Sequence, residues 1–199
     1  VTGVQTCALP ISFLESDEVR FFHEHVFVRD KGAQEGAPWH QDYSYYCVDG
    51  NQGLSLWVPL DPIFGNARLE FLLGSHRWGK LFKPQKFNRV DTYQVPEGTY
   101  EELPCPSKNP DAYKIISWDL NLGDALLFDF KTVHGNGLLT RGTCQTRRRV
   151  FVARLLGEDM RYSARPGEKS PPFEGLGLKP GDPLNHSLFP VIHSAQPSL

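Results

Sequence analysis

The chain has 199 residues, of which 40% are hydrophobic and 22% charged, and its formal net charge is −2. That is enough apolar material for one globular core and too much for a disordered chain. The near-neutral, interspersed charge gives no electrostatic case for a nucleic-acid or membrane-surface partner, and no apolar run approaches the ~20 residues that span a bilayer.

In chain order, residues 1–11 (Val-Thr-Gly-Val-Gln-Thr-Cys-Ala-Leu-Pro-Ile) resemble the in-frame translation of a sequencing-library adaptor. They lack the basic start and the longer apolar stretch of a secretory signal, so they are read as non-native, with one N-terminally truncated domain over residues 12–199. With Cys7 set aside, Cys47, Cys105 and Cys144 are widely spaced and form no Cys-x-x-Cys pair. Free thiols in a reducing compartment, the cytoplasm, are expected rather than a zinc cluster or a disulfide framework.

Residues 16–24, with acidic side chains at the start, predict a short helix, and His23 and His25 read as structural histidines with satisfied ring nitrogens. The next informative stretch is Ala37-Pro38-Trp39-His40-Gln41-Asp42-Tyr43. On a strand, residues i and i+2 share a face, so His40 and Asp42 would project together while Gln41 points away. Trp39, Tyr43, Tyr45 and Tyr46 are candidates either for a substrate pocket or for aromatic core packing.

Strands are predicted at residues 53–60, 69–73, 113–118, 124–130 and 150–156, from alternating or β-branched apolar residues bounded by Gly and Pro turns. Short strands in this rhythm suggest a barrel or sandwich. His76, in Gly-Ser-His-Arg-Trp-Gly, reads as a turn residue, and the basic residues Arg77, Lys80, Lys83 and Lys86 are too generic to define a binding entrance. His134 follows the strand at 124–130, and the run Arg147, Arg148, Arg149 opens the strand at 150–156. From Pro166 onward the chain is too rich in Pro and Gly for regular elements, so an extended surface tail is expected.

Two imidazoles and one carboxylate on one face of a divalent metal leave positions open, which suits non-haem Fe(II) oxygenases. A guanidinium nearby suits the far carboxylate of a dicarboxylate co-substrate, because its fork matches that group bidentately. His-x-Asp alone is weak, since this composition yields it by chance roughly 0.4 times.

The ordered set is more specific. His40-x-Asp42 is followed by Leu56-Trp57-Val58-Pro59-Leu60-Asp61 and Leu73-Gly74-Ser75-His76-Arg77-Trp78-Gly79. Trp118-Asp119, Gly123-Asp124, His134-Gly135 and Arg148-Arg149 complete it. Over about residues 19–165 this resembles the phytanoyl-CoA dioxygenase-like family of Fe(II)- and 2-oxoglutarate-dependent oxygenases. The resemblance implies a mainly β fold, a double-stranded β-helix (a jelly-roll or cupin-like barrel) with few peripheral helices. It makes His40, Asp42 and His134 the iron ligands and Arg148 the partner of the co-substrate, with Arg147 and Arg149 as alternatives. Trp57 falls near the co-substrate, and Asn136 stands where a Ser more often touches it. The chain departs from the family at Leu73, at the short turn 64–68 and in the loop after His134.

The expected reaction consumes O2 and 2-oxoglutarate, hydroxylates an unactivated C–H bond of a small molecule, and releases succinate and CO2. Retention of Asp42 favours hydroxylation, because related halogenases carry a small residue at this place. Two other classes use the same triad: a non-redox metal-dependent cupin enzyme, and a catalytically degenerate binding protein.

Overall fold

The computed structural model describes residues 8–33, 36–86, 93–106, 108–136 and 146–195. Residues 1–7 of the adaptor-like segment and Cys144 lie outside them, and residues 8–11 of that segment lie within them. Among the described residues, strands predominate and pair antiparallel throughout.

One helix, α1 (Ala8–Leu14), precedes the long strand β1 (Glu18–Arg29). Residues 16–24, expected to be helical, therefore belong mostly to a strand. From His23 onward β1 alternates, with Glu24, Val26 and Val28 outward and His23, His25, Phe27 and Arg29 inward. Its ladder with β8 (Arg148–Leu156) satisfies its backbone and overrides the local helix signal.

The remaining elements are β2 (Val48–Asp49), β3 (Gly53–Pro59), β4 (Glu70–Leu72), β5 (Ile115–Ser117), β6 (Leu126–Asp129), β7 (His134–Gly135), β9 (Arg161–Tyr162) and β10 (Val191–Ser194). A five-stranded sheet has the order β10-β1-β8-β3-β6, a three-stranded sheet β5-β4-β7, and β2 pairs with β9. The expected strands at 53–60, 69–73, 113–118, 124–130 and 150–156 all appear, trimmed or extended at their ends.

Two apolar clusters place the site. Trp57, Phe128, Val150 and Val152 of the large sheet pack against Phe71 of the small one. Tyr43, Tyr45, Tyr46 and Cys47 pack with Phe22, Phe130, Phe189 and Leu184. The last two correct the tail expectation. Residues 166–182 carry no strand, but Leu176, Leu184 and Phe189 are buried, and β10 closes the free edge of β1. β-branched Val191-Ile192 supplies a strand where the preceding prolines and glycines could not. Cys47 is a buried free thiol and Cys105 an exposed one.

Candidate metal centre

His40 and His134 face each other across a single antiparallel bridge, each backbone N–H donating to the other's carbonyl at 2.9 Å. β7 is tied on its far side to β4 through Phe71 and Glu70. The close approach depends on Gly135: a Cβ there would lie 3.0 Å from the Pro38 carbonyl oxygen and from Trp39 backbone atoms.

Both rings are fixed in the same way. His40 Nδ1 lies 2.8 Å from the Pro38 carbonyl oxygen and His134 Nδ1 lies 2.9 Å from that of Thr132. A carbonyl only accepts, so Nδ1 carries the proton and Nε2 presents its lone pair. Those Nε2 atoms lie 3.8 Å and 3.9 Å from Asp42 Oδ1. The three candidate donor atoms lie within 4.8 Å of one another, and all three residues are buried.

His40 and Asp42 reach this arrangement without the regular strand that their spacing suggested. His40 sits in the isolated bridge, and Asp42 opens a 3-10 turn, Asp42–Tyr45. Gln41 does point away from the donors, but into the interior. Its Nε2 donates to the carbonyls of Lys80 (3.2 Å) and Lys131 (2.9 Å), and its Oε1 accepts from Phe82 N–H at 3.1 Å. These bonds hold the His-x-Asp segment where strand pairing would otherwise have done so.

Asp42 is held by residues that stand opposite each other across the β3–β8 ladder, Ser55 and Arg154. Ser55 Oγ donates to Oδ2 at 2.5 Å, Arg154 Nε donates to Oδ2 at 3.0 Å, and Arg154 Nη2 reaches Oδ1 at 3.3 Å. Burial pushes the carboxyl pKa upward. The Arg154 charge, the two histidines and the Ser55 hydroxyl outweigh burial and hold it well below the usual carboxylate range. Burial, the larger effect for the histidines, lowers His134 and brings His40 down to about 3. The resting set is one carboxylate and two neutral imidazoles, the protonation states a divalent metal requires.

The donors therefore fit a metal. Asp42 Oδ1 lies 3.8 Å and 3.9 Å from the two Nε2 atoms, and no two of the three donors are more than 4.8 Å apart, so all three converge on one point. Two histidines and one carboxylate, backed by buried hydrogen-bond partners, match the facial set of non-haem iron sites.

A cavity of about 320 Å³ opens beside the triad, lined among others by Tyr45, Tyr46, Trp57, Asn136 and Arg148. Of the three candidate arginines, only Arg148 faces it. Arg148 is 8% exposed, donates from Nη1 to the Ala67 carbonyl at 2.8 Å and lies 5.8 Å from the Trp57 ring centroid. Arg147 and Arg149 point outward to Asp30 (3.2 Å) and Asp61 (2.7 Å). Asn136 lines the cavity while its amide braces two loops, accepting from Ala37 N–H and donating to the Arg68 carbonyl.

Tyr45 and Tyr46 belong to both cavity and core, whereas Trp39 and Tyr43 are core residues outside the cavity lining. His76 and the basic residues Arg77, Lys80, Lys83 and Lys86 do not line it. His23 departs from expectation: it is buried, and neither ring nitrogen has a hydrogen-bond partner. Burial above all, then Arg154 and His25, lowers its pKa to about 3. No motif in the sequence singles out Arg154 or Ser55, and Gln41, expected only to point away, is a brace of the site. The signal for Arg154 was parity, since it lies six residues after Arg148 on one strand and so faces the same side.

The sequence model of the phytanoyl-CoA dioxygenase (PhyH) family matches residues 5–140. The chain belongs to that family. No curated protein matches it in sequence. Among solved structures, the non-heme alpha-ketoglutarate-dependent carbocyclase SnoK from nogalamycin biosynthesis is 16% identical, with a TM-score of 0.62 over 92% of this chain and 65% of that one. The epimerase SnoN, solved with Fe3+, alpha-ketoglutarate and nogalamycin RO, is 19% identical with a TM-score of 0.63, covering 92% and 68%. EvdO2 from Micromonospora carbonacea var. aurantiaca, complexed with 2-oxoglutarate, is 23% identical with a TM-score of 0.55, covering 80% and 60%. The likeness is one of fold, and the chain spans under two thirds of the first of these neighbours.

Proposed function

We propose that the protein is an Fe(II)- and 2-oxoglutarate-dependent oxygenase that hydroxylates an unactivated C–H bond of a small molecule. The observation that carries the reading is the convergence of His40 Nε2, His134 Nε2 and Asp42 Oδ1 beside a cavity that also holds the buried Arg148. In this reading the two sheets form a double-stranded β-helix, and residues 12–199 act as one catalytic domain. Family membership and the iron- and alpha-ketoglutarate-bound SnoN support it.

Iron(II) held there, together with 2-oxoglutarate and O2, supplies oxygen activation coupled to loss of CO2 from the 2-oxo acid, leaving succinate. The residues of the chain do the positioning. His40, Asp42 and His134 would hold the metal, and the Pro38 and Thr132 carbonyls keep both Nε2 lone pairs turned toward the Asp42 carboxylate. Ser55 and Arg154 Nε hold Oδ2 of Asp42, and Oδ1, which Arg154 Nη2 reaches at a longer 3.3 Å, faces the two Nε2 atoms and is the oxygen placed to ligate. Arg148 receives the far carboxylate of 2-oxoglutarate, with Trp57 and Asn136 beside it. The remaining wall, with Tyr45, Tyr46 and Phe128, encloses the reacting C–H bond and keeps water out. Retention of a carboxylate at Asp42 supports hydroxylation over halogenation.

The test is an anaerobic absorption titration with Fe(II) and 2-oxoglutarate. A visible charge-transfer band is expected, absent in His134→Ala, weakened in Arg148→Ala and unchanged in Arg147→Ala and Arg149→Ala. A folded protein that gives no band would refute the reading and favour a non-redox metal enzyme or a binding protein.

A further inference from the structure

The cavity wall formed by β1 and β8 carries a second arginine. Arg29 ends β1 and stands directly opposite Arg148, which begins β8. Cross-strand partners in an antiparallel ladder lie about 4.5–5.5 Å apart at Cα and share a face, and both side chains line the cavity. Arg29 is 7% exposed; its Nη2 reaches the Ala33 carbonyl at 3.3 Å, while Nε and Nη1 are buried without a hydrogen-bond partner. Among the described residues no carboxylate pairs with it: Asp30 is engaged by Arg147 and Asp61 by Arg149.

A guanidinium cannot escape burial by losing its proton. Like charges directly opposite on a ladder repel, and a buried, uncompensated charge is costly. Both costs are relieved by one anion placed between the two side chains. A carboxylate offers about four lone-pair directions, enough for a guanidinium on each side.

We propose that Arg29 is a second co-substrate-binding residue, which with Arg148 receives the distal carboxylate of 2-oxoglutarate. The inference rests on the functional reading above and adds a determinant of co-substrate choice. The pair selects a 2-oxo acid with a far carboxylate over one without it, because the shorter acid brings no anion to the buried Arg29 guanidinium or to the like charge opposite it. The ligand-free protein carries the repulsion, so Arg29 opposes folding and favours binding.

The experiment is an anaerobic calorimetric titration of the Fe(II)-loaded chain with 2-oxoglutarate and, separately, with 2-oxobutyrate, for the wild type, Arg29→Gln and Arg29→Lys. Melting temperatures are measured without metal or ligand. Arg29→Gln is expected to weaken 2-oxoglutarate binding roughly tenfold or more, the scale of one charge-assisted bond, and to leave 2-oxobutyrate within about twofold. Its ligand-free melting temperature should hold or rise, and Arg29→Lys should recover part of the lost affinity. Unchanged 2-oxoglutarate affinity in Arg29→Gln would overturn the inference alone. So would parallel weakening of both acids or a lowered ligand-free melting temperature in both variants, either of which marks a structural role. A folded wild type that binds neither acid would overturn the functional reading and this inference with it.

Discussion

Replacing Arg154 by Met separates the charge that holds Asp42 from the metal that would share it. The Arg154 and Asp42 side chains are 5% and 4% exposed, so the modest worth of a surface ion pair does not apply. Met keeps much of the volume but removes two hydrogen bonds, at 3.0 Å and 3.3 Å, leaving Ser55 as the remaining donor to Oδ2. Breaking a buried pair from one side costs about 3–5 kcal/mol, because the other charge stays buried without compensation. In the metal-free protein that whole cost should appear in urea denaturation. A divalent ion on Oδ1 supplies the missing positive charge, so the loss should shrink by at least ~1 kcal/mol when the same denaturation is run with saturating Mn(II). Equal losses with and without the metal would refute the claim that Arg154 and the ion neutralise the same carboxylate. A metal-free loss below about 1 kcal/mol would show that the pair contributes no more than a surface bridge.

Acid should destabilise the fold through its buried histidines. Folded His23 and His40 have pKa values near 3, and His134 is also lowered, each by burial first. Above pH 6.5 both folded and unfolded states are neutral at these sites. As pH falls below 6.5, the unfolded chain takes up protons that the folded chain refuses, so stability drops by about 1.4 kcal/mol per pH unit for each of His23 and His40 down toward pH 3, with His134 acting in the same direction. His23→Phe keeps the ring packing and removes one titration; relative to wild type it should gain about 2 kcal/mol on going from pH 7 to pH 5, measured by denaturation at each pH. Identical acid slopes would refute the assignment. Gly135→Ala would place a Cβ 3.0 Å from the backbone of Pro38 and Trp39. Because those atoms belong to the His40 segment, about 1–3 kcal/mol of overpacking should come with weaker metal binding, read by Mn(II) titration. Loss of stability with unaltered metal affinity would separate the bridge from the donors.

The centre was legible where chemistry is carried by residue type at short range. His40-x-Asp42 puts two donors on one short segment, and the arginine run begins a strand whose neighbours are apolar. The regular strand that the His-x-Asp spacing predicts does not form: a bridge and a 3-10 turn, braced by Gln41, replace it. The helix expected at residues 16–24 failed for a related reason. Acidic residues near a segment's start are a local cue, whereas β1 is decided by its ladder to β8, more than a hundred residues away. The tail failed likewise: composition excluded regular structure over its Pro-rich part but carried no sign that Phe189 and β10 would complete the core and the sheet.

Residue identity and period carry the family, the strand-rich class and the donor chemistry. Which of Arg147, Arg148 and Arg149 turns inward is set by the folded sheet, because parity along a strand acquires a direction only once one face is buried. The fold alone brought Arg154 and Ser55 to Asp42 and set Arg29 opposite Arg148. Both pairings depend on the register between β1, β3 and β8, and register is a property of the assembled sheet.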